Sequence, residues 1–166
     1  MAPSRPRADS ERDERVGLED SQGLLTRGLA PLVPAPLARR AVSVSIETDR
    51  DVYDRGDPVA LTVTFTNRLP LPVSIPTPER RLWGWTVDGD LEASDERRYT
   101  RSSPSSFPFR AGEQKRVSVA WNGRFERTDG VHESVLPEPG VYEIRAFVAT
   151  HPETHRPSDS TTIAFR

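Results

Sequence analysis

Three histidines, His132, His151 and His155, are the first residues to weigh for chemistry, since imidazole serves both metal ions and protons near neutral pH. His151 and His155 lie in the run HPETH, and a four-residue spacing brings two ligands together on one face of a helix, with Glu153 between them as a third donor. Pro152 and Pro157 bracket that run, and it falls between two strand-like segments, so a solvated hairpin loop is the expectation. Asp49, Asp51, Asp54 and Asp57 crowd TDRDVYDRGDP, but their spacing lacks the alternating ligands, central Gly and terminal Glu of an EF-hand loop. A turn accounts for them better: Gly56 permits positive φ and Pro58 opens the next strand. The triplet Arg55-Gly56-Asp57 matches an adhesion motif, and three residues carry almost no information by themselves. No metal and no cofactor is expected.

Nucleophilic chemistry finds no pattern either, as no serine sits in a Gly-x-Ser-x-Gly elbow and no glycine-rich loop joins a strand to a helix. The chain is therefore expected not to be an enzyme. Trp83, Trp85 and Trp121 would suit a sugar-stacking platform, but aromatics that alternate along a strand are more often core. The remaining candidate is SSPSSFPFR, residues 102–110, a partner-contacting surface made of Phe107, Pro108, Phe109 and Arg110. Its prolines disfavour regular structure, and Pro108 biases Phe107 toward an extended conformation. Two fates are open to the rings: exposed anchors beside Arg110, or, as the commoner outcome for aromatics, a cover folded over the open end of the domain.

The elements that must hold these residues are strands. From Ala41 the apolar residues recur with period two: Val42, Val44 and Ile46, then Val59, Leu61, Val63 and Phe65 with Thr62, Thr64 and Thr66 on the other face. LPLPVSIP puts Leu71, Val73 and Ile75 in register, and its prolines assign it to a sheet edge. Trp83, Trp85 and Val87 lead to Asp88-Gly89, and Val117, Val119 and Trp121 lead to Asn122-Gly123; both dipeptides predict hairpin turns. PEPGVYEIRAFVAT and STTIAFR supply a final antiparallel pair joined by HPETHRPSD. Repeated short strands without an amphipathic helix predict an all-β fold, an immunoglobulin-like antiparallel β-sandwich over residues 41–166.

Residues 1–40 read differently. A mixed-charge stretch precedes GLLTRGLAPLVPAPLARR, where Pro31, Pro34 and Pro36 argue against a helix, and the whole is expected to be a disordered or loosely docked N-terminal arm. Leu24, Leu25, Leu29, Leu32 and Val33 form at most a weak docking strip. A chain starting near Arg40 is accordingly expected to melt at nearly the full-length temperature.

Composition narrows the partners. The 166 residues suit one domain with an appendage, and a formal charge of -2 with interspersed signs makes nucleic acid an unexpected partner. The absence of cysteine excludes disulfides and thiolate sites and fits a reducing cytoplasm. No apolar run follows the basic amino terminus as a signal peptide requires, and no segment is long enough to span a membrane as a helix.

YDRGDPVALTVTFTNRLPLPVSI, then LWGW with Asp88-Gly89, then AGEQKRVSVAW and LPEPGVYEIRAFV occur in one order, and over residues 42–166 they resemble the BsuPI-type intracellular proteinase inhibitor domain. Each motif also has a local reading: Ala111-Gly112-Glu113 is a turn feeding a strand that ends at Trp121, and Pro139-Gly140 launches Tyr142 much as a tyrosine corner does. The resemblance implies a cytoplasmic β-sandwich that inhibits a subtilisin-like serine protease. A general immunoglobulin-like interaction or scaffold module without inhibitory activity is the second reading.

Overall fold

The computed structural model describes residues 33–89, 103–127 and 133–166. Their secondary structure is mostly β, in antiparallel sheets. Residues 1–32 of the expected arm, the polar stretch before residue 103, and His132 lie outside the described residues.

Period-two patterning becomes two facing sheets. Strands β1 (Val42–Thr48), β3 (Val59–Asn67) and β7 (Gln114–Trp121) form one, in the order β1-β3-β7. Its register sets Ile46 opposite Val63 and Val63 opposite Val117. The second has the order β2-β11-β10-β5, from Val52–Tyr53, Ser158–Phe165, Gly140–Val148 and Trp83–Val87. Antiparallel pairing of β10 with β11 bears out the last sequence-predicted pair, and β2 joins β11 in parallel. Val59, Leu61, Val63 and Phe65 are buried while the intervening threonines are half-buried, as the alternation requires. Trp85 of one sheet meets Trp121 of the other edge-on, ring centroids 6.3 Å apart. Burying large side chains of this kind contributes about 1.5–3 kcal/mol each.

A two-stranded ribbon closes one side: β4 (Val73–Thr77) pairs with β6 (Ser105–Phe109). The edge assignment of LPLPVSIP is consistent with this, since Pro76 and Pro108 lie on exposed positions while Val73 and Ile75 are fully buried. Leu71, expected in register with them, stands before the strand and is 55% exposed.

Two local expectations are corrected. A helix, α1 (Ala35–Ala41), precedes β1 where three prolines seemed to forbid one. Pro34 is its N-cap and Pro36 falls in the first turn, where no backbone donor is needed, while Leu37 N and Ala38 N donate to Pro34 O at 2.9 Å each. Ala38 and Ala41, three apart on one face, are buried in the core, and Val33 packs against it. The second correction concerns Asn122-Gly123, which does not return β7 on itself. Asn122 Oδ1 accepts from Arg124 N at 3.0 Å and redirects the chain into β8 (Phe125–Arg127), whose partner is β9 (Glu133–Val135). Asp88-Gly89 does adopt the double positive φ of a tight turn, 48° and 83°.

Candidate functional site

Asn67 ends β3, and its side chain organises the loops beyond. It is 1% exposed, and its Nδ2 donates to both Leu71 O and Arg110 O at 2.8 Å, while its Oδ1 accepts from Leu69 N at 3.0 Å. Two donors and an acceptor in one plane are what an amide offers and what a carboxylate or hydroxyl of similar size cannot. The two connections are also stitched to each other. Gly112 N donates to Leu69 O at 2.9 Å, Asn67 N to Glu113 O at 2.9 Å, and Arg110 N to Glu113 Oε2 at 2.6 Å. Lys115, the single lysine, closes the network with an ion pair to Glu113 at 3.3 Å and lies 5.5 Å from the Phe109 ring centroid. Residues 68–72 and 110–113 thus form one hydrogen-bonded unit whose outward groups include Leu71, Pro70 and Arg110.

The expected contact surface of Phe107, Pro108, Phe109 and Arg110 is divided by this arrangement. Strand β6 turns Phe107 and Phe109 inward, 5% and 1% exposed, where Phe107 meets Phe65 edge-on at 5.3 Å; as exposed anchors they are corrected to core. Pro108 and Arg110 remain on the surface. Sequence reasoning passed over Asn67 and read Leu71 only as a strand residue; the signal was the polar residue closing an apolar strand, followed by Leu-Pro-Leu-Pro.

The other candidates are placed as follows. Glu153–His155 is a single 3-10 turn, and no three His, Cys, Asp or Glu residues among the described ones gather to hold a metal. Three of the four aspartates are engaged by other side chains: Asp49 accepts from Tyr53 and Ala60, Asp49 and Asp57 both pair with Arg50, at 3.3 and 3.4 Å, and Asp54 pairs with Arg166 at 2.8 Å. Arg55 of the triplet donates to Pro137 O at 2.6 Å. Trp85 and Trp121 are core, and Trp83 packs its ring on Phe65. Tyr142 donates its hydroxyl to Glu138 O at 2.8 Å, as expected of the corner. No described helix is long and apolar enough to cross a membrane.

The sequence pattern of a family of unknown function (DUF7974) matches residues 30–166. The chain belongs to the DUF7974 family. The DUF7974 match begins ahead of α1 and so takes in the helix as well as the sheets. No curated protein matches. Among solved structures, a mutant (D270A) β-glucosidase from Listeria innocua in complex with laminaribiose is similar at 13% identity and a TM-score of 0.43, over 75% of this chain and 16% of that one. The CARDB domain of a Pyrococcus furiosus protein gives 14% and 0.45, over 75% and 94%. The Pseudomonas fluorescens alkylpurine DNA glycosylase AlkC, bound to DNA containing an abasic site analog, gives 14% and 0.46, over 93% and 41%. The DUF7974 chain spans only 16% of the length of the β-glucosidase, and likenesses this distant carry no argument about activity.

Proposed function

We propose that this chain is a non-catalytic protein-binding domain of immunoglobulin-like topology, which docks a partner through the loops held by Asn67, and that the partner is a subtilisin-like serine protease of the cytoplasm. The observation that carries the reading is the double donation of Asn67 Nδ2 to Leu71 O and Arg110 O. A loop fixed before it meets its partner loses little conformational freedom on binding, and an inhibitor must hold its shape in a cleft evolved to cut flexible chains. Leu71 offers an apolar anchor, and Arg110 a guanidinium fork that can pair with a partner's carboxylate; both suit contact.

Topology supports the immunoglobulin-like part. In this reading the order β1-β3-β7 corresponds to strands A, B and E, and the order β5-β10-β11 to C, F and G. The protease as partner rests on the sequence resemblance over residues 42–166.

The test is a titration of the full chain against a purified subtilisin-like protease, repeated with Leu71→Asp and Arg110→Glu. Stoichiometric inhibition is expected, weakened at least tenfold by Leu71→Asp at unchanged melting temperature. Absence of inhibition by the unaltered chain removes the protease, and inhibition indifferent to both substitutions removes these loops.

A further inference from the structure

An overall charge of -2 conceals one concentration of positive charge. Helix α1, the start of β1, Arg68 and the connection between β10 and β11 enclose an open groove of about 700 Å³, lined among the described residues by Arg39, Arg40, Arg68, His155 and Arg156 and by no carboxylate. Among the described residues Arg39, Arg40 and Arg68 have no acidic partner at ion-pair distance, and Arg156 has Glu153 at 3.6 Å. Like charges repel, so the guanidinium groups of Arg39, Arg40 and Arg68 around one cavity are a cost to folding that an anion in the groove would offset. A second observation points the same way. Among the described residues the buried Nε of Arg39 has no hydrogen-bond partner, although its Nη1 donates to His151 O. A charged donor in that position is one that a ligand oxygen would satisfy.

We propose that this groove binds a phosphorylated small molecule of about nucleotide size. Guanidinium forks match the paired oxygens of a phosphate, and several of them favour a doubly charged group over a single carboxylate. The volume lies within the range of small-molecule sites. Pro36, Val42, Pro152 and Pro157 supply apolar wall beside the cations, so the ligand carries a ring or other flat body as well as its charge. The site shares Arg68 with the loop unit but includes neither Leu71 nor Arg110, and it does not depend on the protein-binding reading.

The experiment is calorimetric titration of the full chain with AMP, inorganic pyrophosphate and citrate, with thermal denaturation in parallel. AMP is expected to bind with a dissociation constant below 1 mM, on the scale of pocket ligands, and to raise the melting temperature, with affinity falling as salt is added. Arg40→Glu, at an exposed side chain, is expected to weaken AMP at least tenfold, and Arg145→Glu, exposed on β10 away from the groove, to leave it unchanged. Arg39→Met should do the same as Arg40→Glu while keeping the side-chain stem; if that variant does not fold, Arg40→Glu alone decides. Pyrophosphate binding as well as AMP retains the phosphate and removes the flat body. No binding of either phosphate, citrate binding as tightly as AMP, or equal loss in Arg145→Glu overturns the proposal.

Discussion

The hydroxyl of Tyr53 donates to Asp49 Oδ1 at 2.6 Å, and the same hydroxyl accepts from Arg50 N at 3.0 Å. Burial, and then the neighbouring carboxylate, push the Tyr53 phenol up to about 12, while the hydrogen bond from Tyr53 holds Asp49 below the ordinary carboxylate range. An acid whose folded value is raised stabilises the fold below its unfolded value near 10 and ceases to do so as the pH rises toward 12. Stability is therefore expected to fall by about 2–3 kcal/mol across that interval. Asp49 acts at the other end: its contribution is present above the unfolded carboxylate value and lost as the pH falls through the folded one. Urea denaturation at pH 8 to 12 checks the alkaline limb, and Tyr53→Phe should flatten it while costing on the order of 1–2 kcal/mol at neutral pH.

Asn67→Ala removes three hydrogen bonds from a site that is 1% exposed and leaves the Leu71 and Arg110 carbonyls unpaired by it. A loss of about 2–4 kcal/mol is expected in urea denaturation. A loss below about 1 kcal/mol would mean that water replaces the amide and that the loops are not held as described.

Two glycines with nearly equal φ, Gly112 at 64° and Gly123 at 68°, separate backbone strain from collision. A Cβ on Gly112 meets nothing within 4 Å, whereas on Gly123 it would lie 2.3 Å from the Asp57 carbonyl oxygen. Gly112→Ala should cost about 1–2 kcal/mol from the left-handed backbone alone. Gly123→Ala should cost clearly more, because β7 and the turn before β3 must part; equal effects in thermal melts would contradict that contact.

Ala38→Asp tests the helix. Its methyl is fully buried, so a carboxylate there should cost on the order of 3 kcal/mol or more. A chain shortened to begin at Ala41 should correspondingly melt more than about 5 °C lower than the full chain. Differential calorimetry of both reads the result, and an unchanged transition would place α1 outside the cooperative unit.

Tyr142→Phe loses the bond to Glu138 O and should cost about 1 kcal/mol; Tyr142→Ala also loses ring contacts to Phe125 and Phe165 and should cost several times that. Neutral behaviour of both in urea titrations would contradict the packing of this ring.

What the sequence made legible follows from the range of the forces involved. Alternation along Val59 to Phe65 reports burial residue by residue, so strands could be read locally. Helix α1 escaped because a proline is read as a breaker unless its place in the first turn is known, and that place depends on where Ala38 finds a core. Phe107 and Phe109 followed the commoner of their two fates, since β4 lay across from them to pair. Asn67 was illegible for a different reason: two of its partners are only two and four residues away, but the third, Arg110, is 43 residues distant. The arginine groove likewise assembles from residues 36–42, 68 and 152–158, none of which forms a basic run of its own.

The contact between Trp85 and Trp121 has an optical consequence. The indoles belong to different sheets, lie 6.3 Å apart and have ring planes inclined at 63°, so their transition dipoles are close enough to couple. Chromophores so disposed share their excitations and give a pair of circular-dichroism bands of opposite sign. That couplet depends on the spacing of the two sheets and not on how much strand each retains. Its disappearance ahead of the peptide signal would record the sheets separating while their internal ladders persist.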